Sequence, residues 1–163
     1  MRRPMLHAMR IVDFEPRHAE AWKRLNEAWI TRHFALEPSD LEVLDDPVGK
    51  VIAPGGRIFM AEDETGRAIG CVGLKVVPAD NGGGLEVIKM TVDEAARGTG
   101  LGRALMQACI DGAGAMGAGR LYLETNSALG PALGLYRAMG FTDLPRQETP
   151  YQRCDVWMAR AIP

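Results

Sequence analysis

The chain has 163 residues, 47% hydrophobic and 25% charged, which suits one globular domain with its own core and excludes fibrous or disordered classes. Its formal net charge is -2, with mixed signs and no Lys/Arg run, so neither nucleic acid nor an anionic membrane is an expected partner. Cys71, Cys109 and Cys154 show no metal-ligand spacing, suit a reducing compartment and read as small buried hydrophobes.

In chain order, MRRPMLHAMR lacks the apolar stretch of a signal peptide, and residues 1–8 are expected as a loose arm. No later run approaches the roughly 20 apolar residues of a membrane span, so the expected location is cytoplasmic. A short strand is predicted over Met9–Phe14, then a helix over Arg17–His33 with Trp22, Leu25 and Trp29 on one face. Ser39 precedes a short helical stretch that Pro47 stops, and APGG at 53–56 is turn chemistry. Strands over Arg57–Glu62 and Ala68–Val77 are close enough for an antiparallel hairpin. After the turn DNGGG, LEVIKMTV (85–92) reads as a long strand. Alternation puts Glu86, Ile88, Met90 and Val92 on one face and Val87, Lys89 and Thr91 on the other.

The loop ARGTGLG then opens a helix with a buried stripe at Leu101, Ala104, Leu105, Ala108 and Gly112, whose end the later glycines should fray. A strand at Leu121–Asn126 precedes a helix from about Pro131 to Gly140. Strands near Phe141–Leu144 and Asp155–Ala159 flank PRQETPYQRC. This order is a mixed α/β arrangement, not repeating βαβ, and shows no repeat, linker or second domain across 1–163.

The glycine loop is the most informative segment. Gly98, Gly100 and Gly102 alternate between an apolar strand and a helix, where glycines admit a ligand close to the backbone and unpaired amides attract anions. With Arg97 and Arg103 beside them, the natural occupant is a diphosphate. A Walker loop would need Lys-Ser/Thr after Gly102, where Arg103-Ala104 stand. A dinucleotide fingerprint would read GxGxxG after the first strand, whereas this is GxGxG beyond mid-chain. A plain helix-capping loop would not explain the two arginines.

Arg97-x-x-Gly100-x-Gly102 resembles the acyl-CoA pyrophosphate motif of the GNAT superfamily of N-acetyltransferases. VIKMTV and LYLETNSALGPALGLYRAMGF resemble that family's other conserved regions, so the likeness runs from Leu85 to Phe141. It departs in lacking the proline often found shortly before the arginine; Asp93-Glu94-Ala95-Ala96 stands there. EAWITRHFALEPSDLEVLDDP also resembles a bacterial subgroup in which some members carry a fused helix-turn-helix regulator, for which this chain has no room.

The resemblance implies a central, mostly antiparallel sheet flanked by helices, acetyl-CoA as cosubstrate and no metal. It implies acetyl transfer to a primary amine of a small molecule, peptide or protein, by direct attack through a tetrahedral intermediate. Main chain of Met90, Thr91 and Val92 would hold the pantetheine, with an amide near Met90 as oxyanion donor. Arg97, Gly98, Thr99, Gly100, Leu101, Gly102 and Arg103 would take the diphosphate, and Asn126 would bond the pantetheine arm. Tyr136 stands where many members keep the acid for the departing thiolate; its alternative is packing between Ala132 and Met139.

The candidate base is Glu86, against the alternative of a surface strand-end carboxylate, with Glu124 in reserve. Trp29, His33 and Tyr151, with Arg32, Phe34 and Arg153 near them, are candidate acceptor contacts, but each has a stronger structural reading: Trp29 as core, His33 as a helix-end cap, Arg32 and Arg153 as solvated charge. Homodimers are common in that family, but no interface can be named. A non-catalytic acyl-CoA sensor is the alternative class of function, and a nucleotide-dependent oxidoreductase the third.

Overall fold

The structure is a computed structural model that describes residues 8–163, so the arm expected at 1–8 lies, but for Ala8, outside the described residues. Its elements are β1 (Arg10–Asp13), α1 (Ala19–His33), α2 (Pro38–Asp45), β2 (Arg57–Glu62), β3 (Ala68–Val76), β4 (Leu85–Val92), α3 (Leu101–Ala115), β5 (Arg120–Thr125), α4 (Gly130–Ala138), β6 (Thr142–Leu144) and β7 (Val156–Ala161). All seven strands join one sheet in the order β1-β2-β3-β4-β5-β7-β6. Only β4 and β5 pair in parallel, so the expected mostly antiparallel sheet is present.

Helices cover both faces. On one, Leu101, Leu105, Met106 and Cys109 of α3 and Leu133 of α4 pack with Val72, Leu74, Leu85, Val87, Leu121 and Leu123 of the sheet. On the other, Trp22, Leu25 and Ile30 of α1 and Val43 and Leu44 of α2 cover Ile58, Met60 and Cys71. Each such large side chain, fully buried, contributes about 1.5–3 kcal/mol before entropy is set against it. Among the described residues no helix is long and apolar enough to cross a membrane.

Three local expectations change. Glu37, not Ser39, caps α2: Pro38 opens the helix, and the Glu37 N–H donates to Asp40 Oδ2 at 2.8 Å. Pro47 does not end the helical winding, because a five-residue π-helical stretch, Val48–Ile52, follows with Val51 buried. Nor do the glycines fray α3 before Ala115. A Cβ on Gly112 would come within 2.9 Å of Phe59 Cζ, so glycine there lets α3 lie close on β2.

The largest correction concerns β4. Cys71 pairs with Thr91 and Gly73 with Ile88, so two steps along β3 span three along β4. The extra residue is a bulge at Lys89–Met90, and Lys89 is the one non-glycine among the described residues with positive φ, 53°. A bulge flips every later side chain. Met90 and Val92 therefore return to the α3 face with Leu85 and Val87, while Ile88 faces α1. Glu86 does not share a face with Met90, as strict alternation predicted, and Lys89 and Thr91 join Ile88 on the α1 side.

Candidate functional site

β4 and β5 pair only at Leu85–Leu121 and Glu86–Tyr122 and then splay apart. From Val87 to Val92 the β4 edge facing β5 has no strand partner, and a cavity of about 600 Å³ fills the opening. Buried backbone groups need partners, so this edge is ready to bond an extended ligand.

The cavity joins the two faces of the sheet. Toward α3 and α4 it is lined by Val87, Met90, Val92, Arg97, Leu135 and Tyr136. Loop backbone at Gly98 (φ 75°) and Gly100 (φ 87°) takes the left-handed conformation that glycine tolerates, and Gly100 caps α3. Thr99 Oγ1 donates to the Ala96 carbonyl at 2.5 Å and braces the turn. Leu101 buries its side chain at 1% exposure, so it and Gly102 offer only their first-turn amides, with Arg103 exposed beside them. This cradle fits an anionic group joined to an extended chain.

Toward α1 and α2 the cavity meets Trp29, His33, Phe34, Glu86, Lys89, Glu124, Tyr151 and Arg153. The Trp29 and His33 rings meet at a 50° tilt with centroids 5.0 Å apart. Arg32 does not reach the cavity; it is exposed and pairs with Glu94 at 2.7 Å. Thr91 lines the cavity, but its hydroxyl donates to Asn26 Oδ1 at 2.7 Å, leaving main chain for a ligand. Asn126 also lines it, yet its Nδ2 donates to the Arg153 carbonyl at 2.6 Å and its Oδ1 accepts from the Ala128 N–H at 2.8 Å. Both ends of that side chain are thus engaged within the protein.

Glu86 is no surface carboxylate. Burial, then the charge of Glu124, pushes it up to about 7, and among the described residues its carboxylate has no hydrogen-bond partner. Burial likewise pushes Tyr136 up to about 12; its ring packs against Phe141 at 6.1 Å while also lining the cavity. The two stand on opposite faces of the sheet, at either side of the splay.

Sequence reading missed the ion network that closes the α2 end. Asp40, fully buried, accepts from Lys89 Nζ at 2.7 Å and from both terminal nitrogens of Arg153 at 2.8 and 2.6 Å. Burial pushes its pKa up, but the bonds from Arg153 and Lys89 outweigh burial and hold it at about 2. Arg153 also pairs with Glu37 at 3.1 Å, so it is not a solvated surface charge. Tyr151 Oη accepts from Lys89 Nζ at 3.1 Å. These partners are 49 to 116 residues apart in sequence, and no local pattern links them. Cys71 and Cys109 are buried as expected, but Cys154 lines the cavity.

Residues 9–141 match the model of the Acetyltransferase (GNAT) family. A mycothiol acetyltransferase of Clavibacter michiganensis subsp. michiganensis is 35% identical over 147 residues, 86% of this chain and 45% of the relative. An uncharacterized N-acetyltransferase of Schizosaccharomyces pombe is 30% identical over 129 residues, 77% of each. This chain thus spans less than half of the first relative and about three quarters of the second. Among solved structures, a GNAT-family acetyltransferase of Staphylococcus aureus superposes with TM-score 0.85 at 18% identity, covering 96% of this chain and 100% of its own. The protein yncA of Salmonella typhimurium, solved with its cofactor acetyl-CoA, gives 0.76 at 21% identity over 96% and 95%. At such identities the likeness is one of fold, while the family match covers most of the chain: the protein belongs to the Acetyltransferase (GNAT) family.

Proposed function

We propose that the protein transfers the acetyl group of acetyl-CoA to a primary amine. The carrying observation is the splay of β4 from β5, which sets an unpaired strand edge between a glycine-arginine cradle and two titratable groups, Glu86 and Tyr136. The coenzyme supplies an activated acyl group as its thioester. The β4 edge between Val87 and Val92 bonds its extended arm, and the amides opening α3, with Arg97 and Arg103, take its diphosphate. An amide near Met90, at the bulge, receives the developing oxyanion.

An alkylamine of ordinary pKa near 10.4 is about one part in a thousand neutral at pH 7.4, a cost of roughly 4 kcal/mol. Glu86, poised near 7 and free of internal partners, takes a proton from that amine as the new N–C bond forms and the C–S bond breaks. Tyr136, pushed up to about 12, stays protonated at neutral pH and is the donor for the departing thiolate.

The test is thermal unfolding with acetyl-CoA, CoA and NAD, followed by CoA release against an amine panel. A ligand at about 100 times its dissociation constant adds roughly 2.7 kcal/mol, a clear shift. Stabilisation by acetyl-CoA but not NAD, with amine-dependent CoA release, is the expected result. Stabilisation without any amine-dependent release leaves a sensor, and no shift from either CoA form removes the proposal.

A further inference from the structure

The charges on the acceptor side of the cavity do not balance. Its two cations are already spent: Asp40 occupies Lys89 and Arg153 together, and Arg153 also holds Glu37. Its two carboxylates, Glu86 and Glu124, have no cation within salt-bridge distance among the described residues. They lie on neighbouring strands and the same face, because Glu86 pairs with Tyr122, and Glu124 is two residues further along β5.

Glu124 is held by three neutral donors. Tyr122 Oη donates to its Oε2 at 3.0 Å, Trp157 Nε1 to the same oxygen at 3.2 Å, and Thr149 Oγ1 to Oε1 at 2.7 Å. Those bonds fix the carboxylate in place and satisfy its geometry, but they supply no positive charge. A partly buried ion without a counter-ion is costly, and a glutamine would serve a merely structural role there. The unpartnered carboxylate of Glu86, lining the same cavity, is the independent sign that a ligand completes this end.

Resting on the acetyl-transfer reading above, we propose that Glu124 makes the site selective for primary amines that carry a second positive charge. The reacting amine gives its proton to Glu86 while a second ammonium on the same molecule faces Glu124. An acceptor bearing a carboxylate is rejected, because Glu124 repels it and neither Lys89 nor Arg153 is free to receive it.

Glu124→Gln is the test, since an amide of the same shape keeps an oxygen for Tyr122 and Trp157 and turns its nitrogen toward the Thr149 hydroxyl. The wild type should favour 1,5-diaminopentane over pentylamine by about 30-fold in kcat/KM, with 5-aminopentanoate poorer still. In the variant the ratio between the two amines should fall to within about 3-fold; the ratio is the readout, because removing the Glu124 charge also acts on Glu86 and so on both amines alike. A preference that survives in Glu124→Gln, or equal losses on both amines, overturns the proposal. Calorimetric titration of both amines into the CoA-loaded protein judges selectivity independently of turnover. Equal binding of diamine and monoamine there also overturns it, whereas failure of acetyl-CoA itself to bind would strike the underlying reading instead.

Discussion

Two glutamates in the sheet, Glu62 and Glu86, show how surroundings separate a carboxylate locked in its charged form from one that titrates near neutrality. Glu62, at the end of β2, is covered completely and meets Arg17 at 2.5 Å, Arg10 at 3.2 Å and His18 at 3.0 Å. The Glu15 N–H donates to His18 Nδ1 at 2.9 Å, so in the neutral ring Nε2 carries the hydrogen and donates to Glu62. Hydrogen bonding from Arg17, then from His18, holds Glu62 down at about 2 against burial. Glu86 has burial without such partners and rises to about 7. Three partners fix the charge of the first through the physiological range, while their absence lets the second exchange a proton near neutrality.

The sharpest way to break this contrast is Glu86→Gln, expected to lower kcat/KM by about 1000-fold while leaving acetyl-CoA affinity near that of the wild type. In the wild type, activity should rise with pH through about 7 as Glu86 ionises. The variant should lose that limb, and a limb that persists assigns the titration to another group. Stability supplies an independent reading. Because the folded state raises Glu86 from 4.5 to about 7, it binds the proton more tightly than the unfolded chain between those values. Stability therefore falls as pH rises from about 4.5 to about 7, by on the order of 3 kcal/mol, and Glu86→Gln should flatten that decline in a melting series.

A smaller effect falls on the other side of the splay. Tyr136→Phe should reduce turnover about 30-fold with acetyl-CoA affinity within about 2-fold, measured by steady-state kinetics and titration. Wild-type turnover would return Tyr136 to its packing role against Phe141.

How much of this was legible in the sequence follows from the range of each interaction. Helices and strands were readable because Trp22, Leu25, Leu101 and Leu105 repeat at local spacings that burial enforces. The glycine-arginine loop was readable for the same reason, its residues being contiguous. The face of Glu86 relative to Met90 was not. The bulge that separates them falls on Lys89, with neither glycine nor proline to mark it, and its positive φ is held by packing and by the Lys89–Asp40 bond. The network around Asp40 was invisible because folding alone brings residues 37, 40, 89 and 153 together. The balance of charge at Glu124 depends on that network, so it too had to wait for the structure.

The gentlest test concerns Glu62, where the expected change is in stability alone. Although the carboxylate is sealed, the arginines that seal it, Arg10 and Arg17, are themselves more than half exposed, so solvent screens the cluster. Glu62→Gln should therefore cost only about 1 kcal/mol at pH 7, with kcat/KM unchanged because the cluster does not line the cavity. Its pH dependence should run opposite to that of Glu86. A folded-state value of about 2 against 4.5 makes the stabilisation complete above about 4.5 and lost as pH falls toward 2. Melting curves of wild type and variant should thus converge between pH 7 and pH 3. Curves that stay parallel would show that Glu62 acts by shape rather than charge, and the contrast with Glu86 would then reduce to burial.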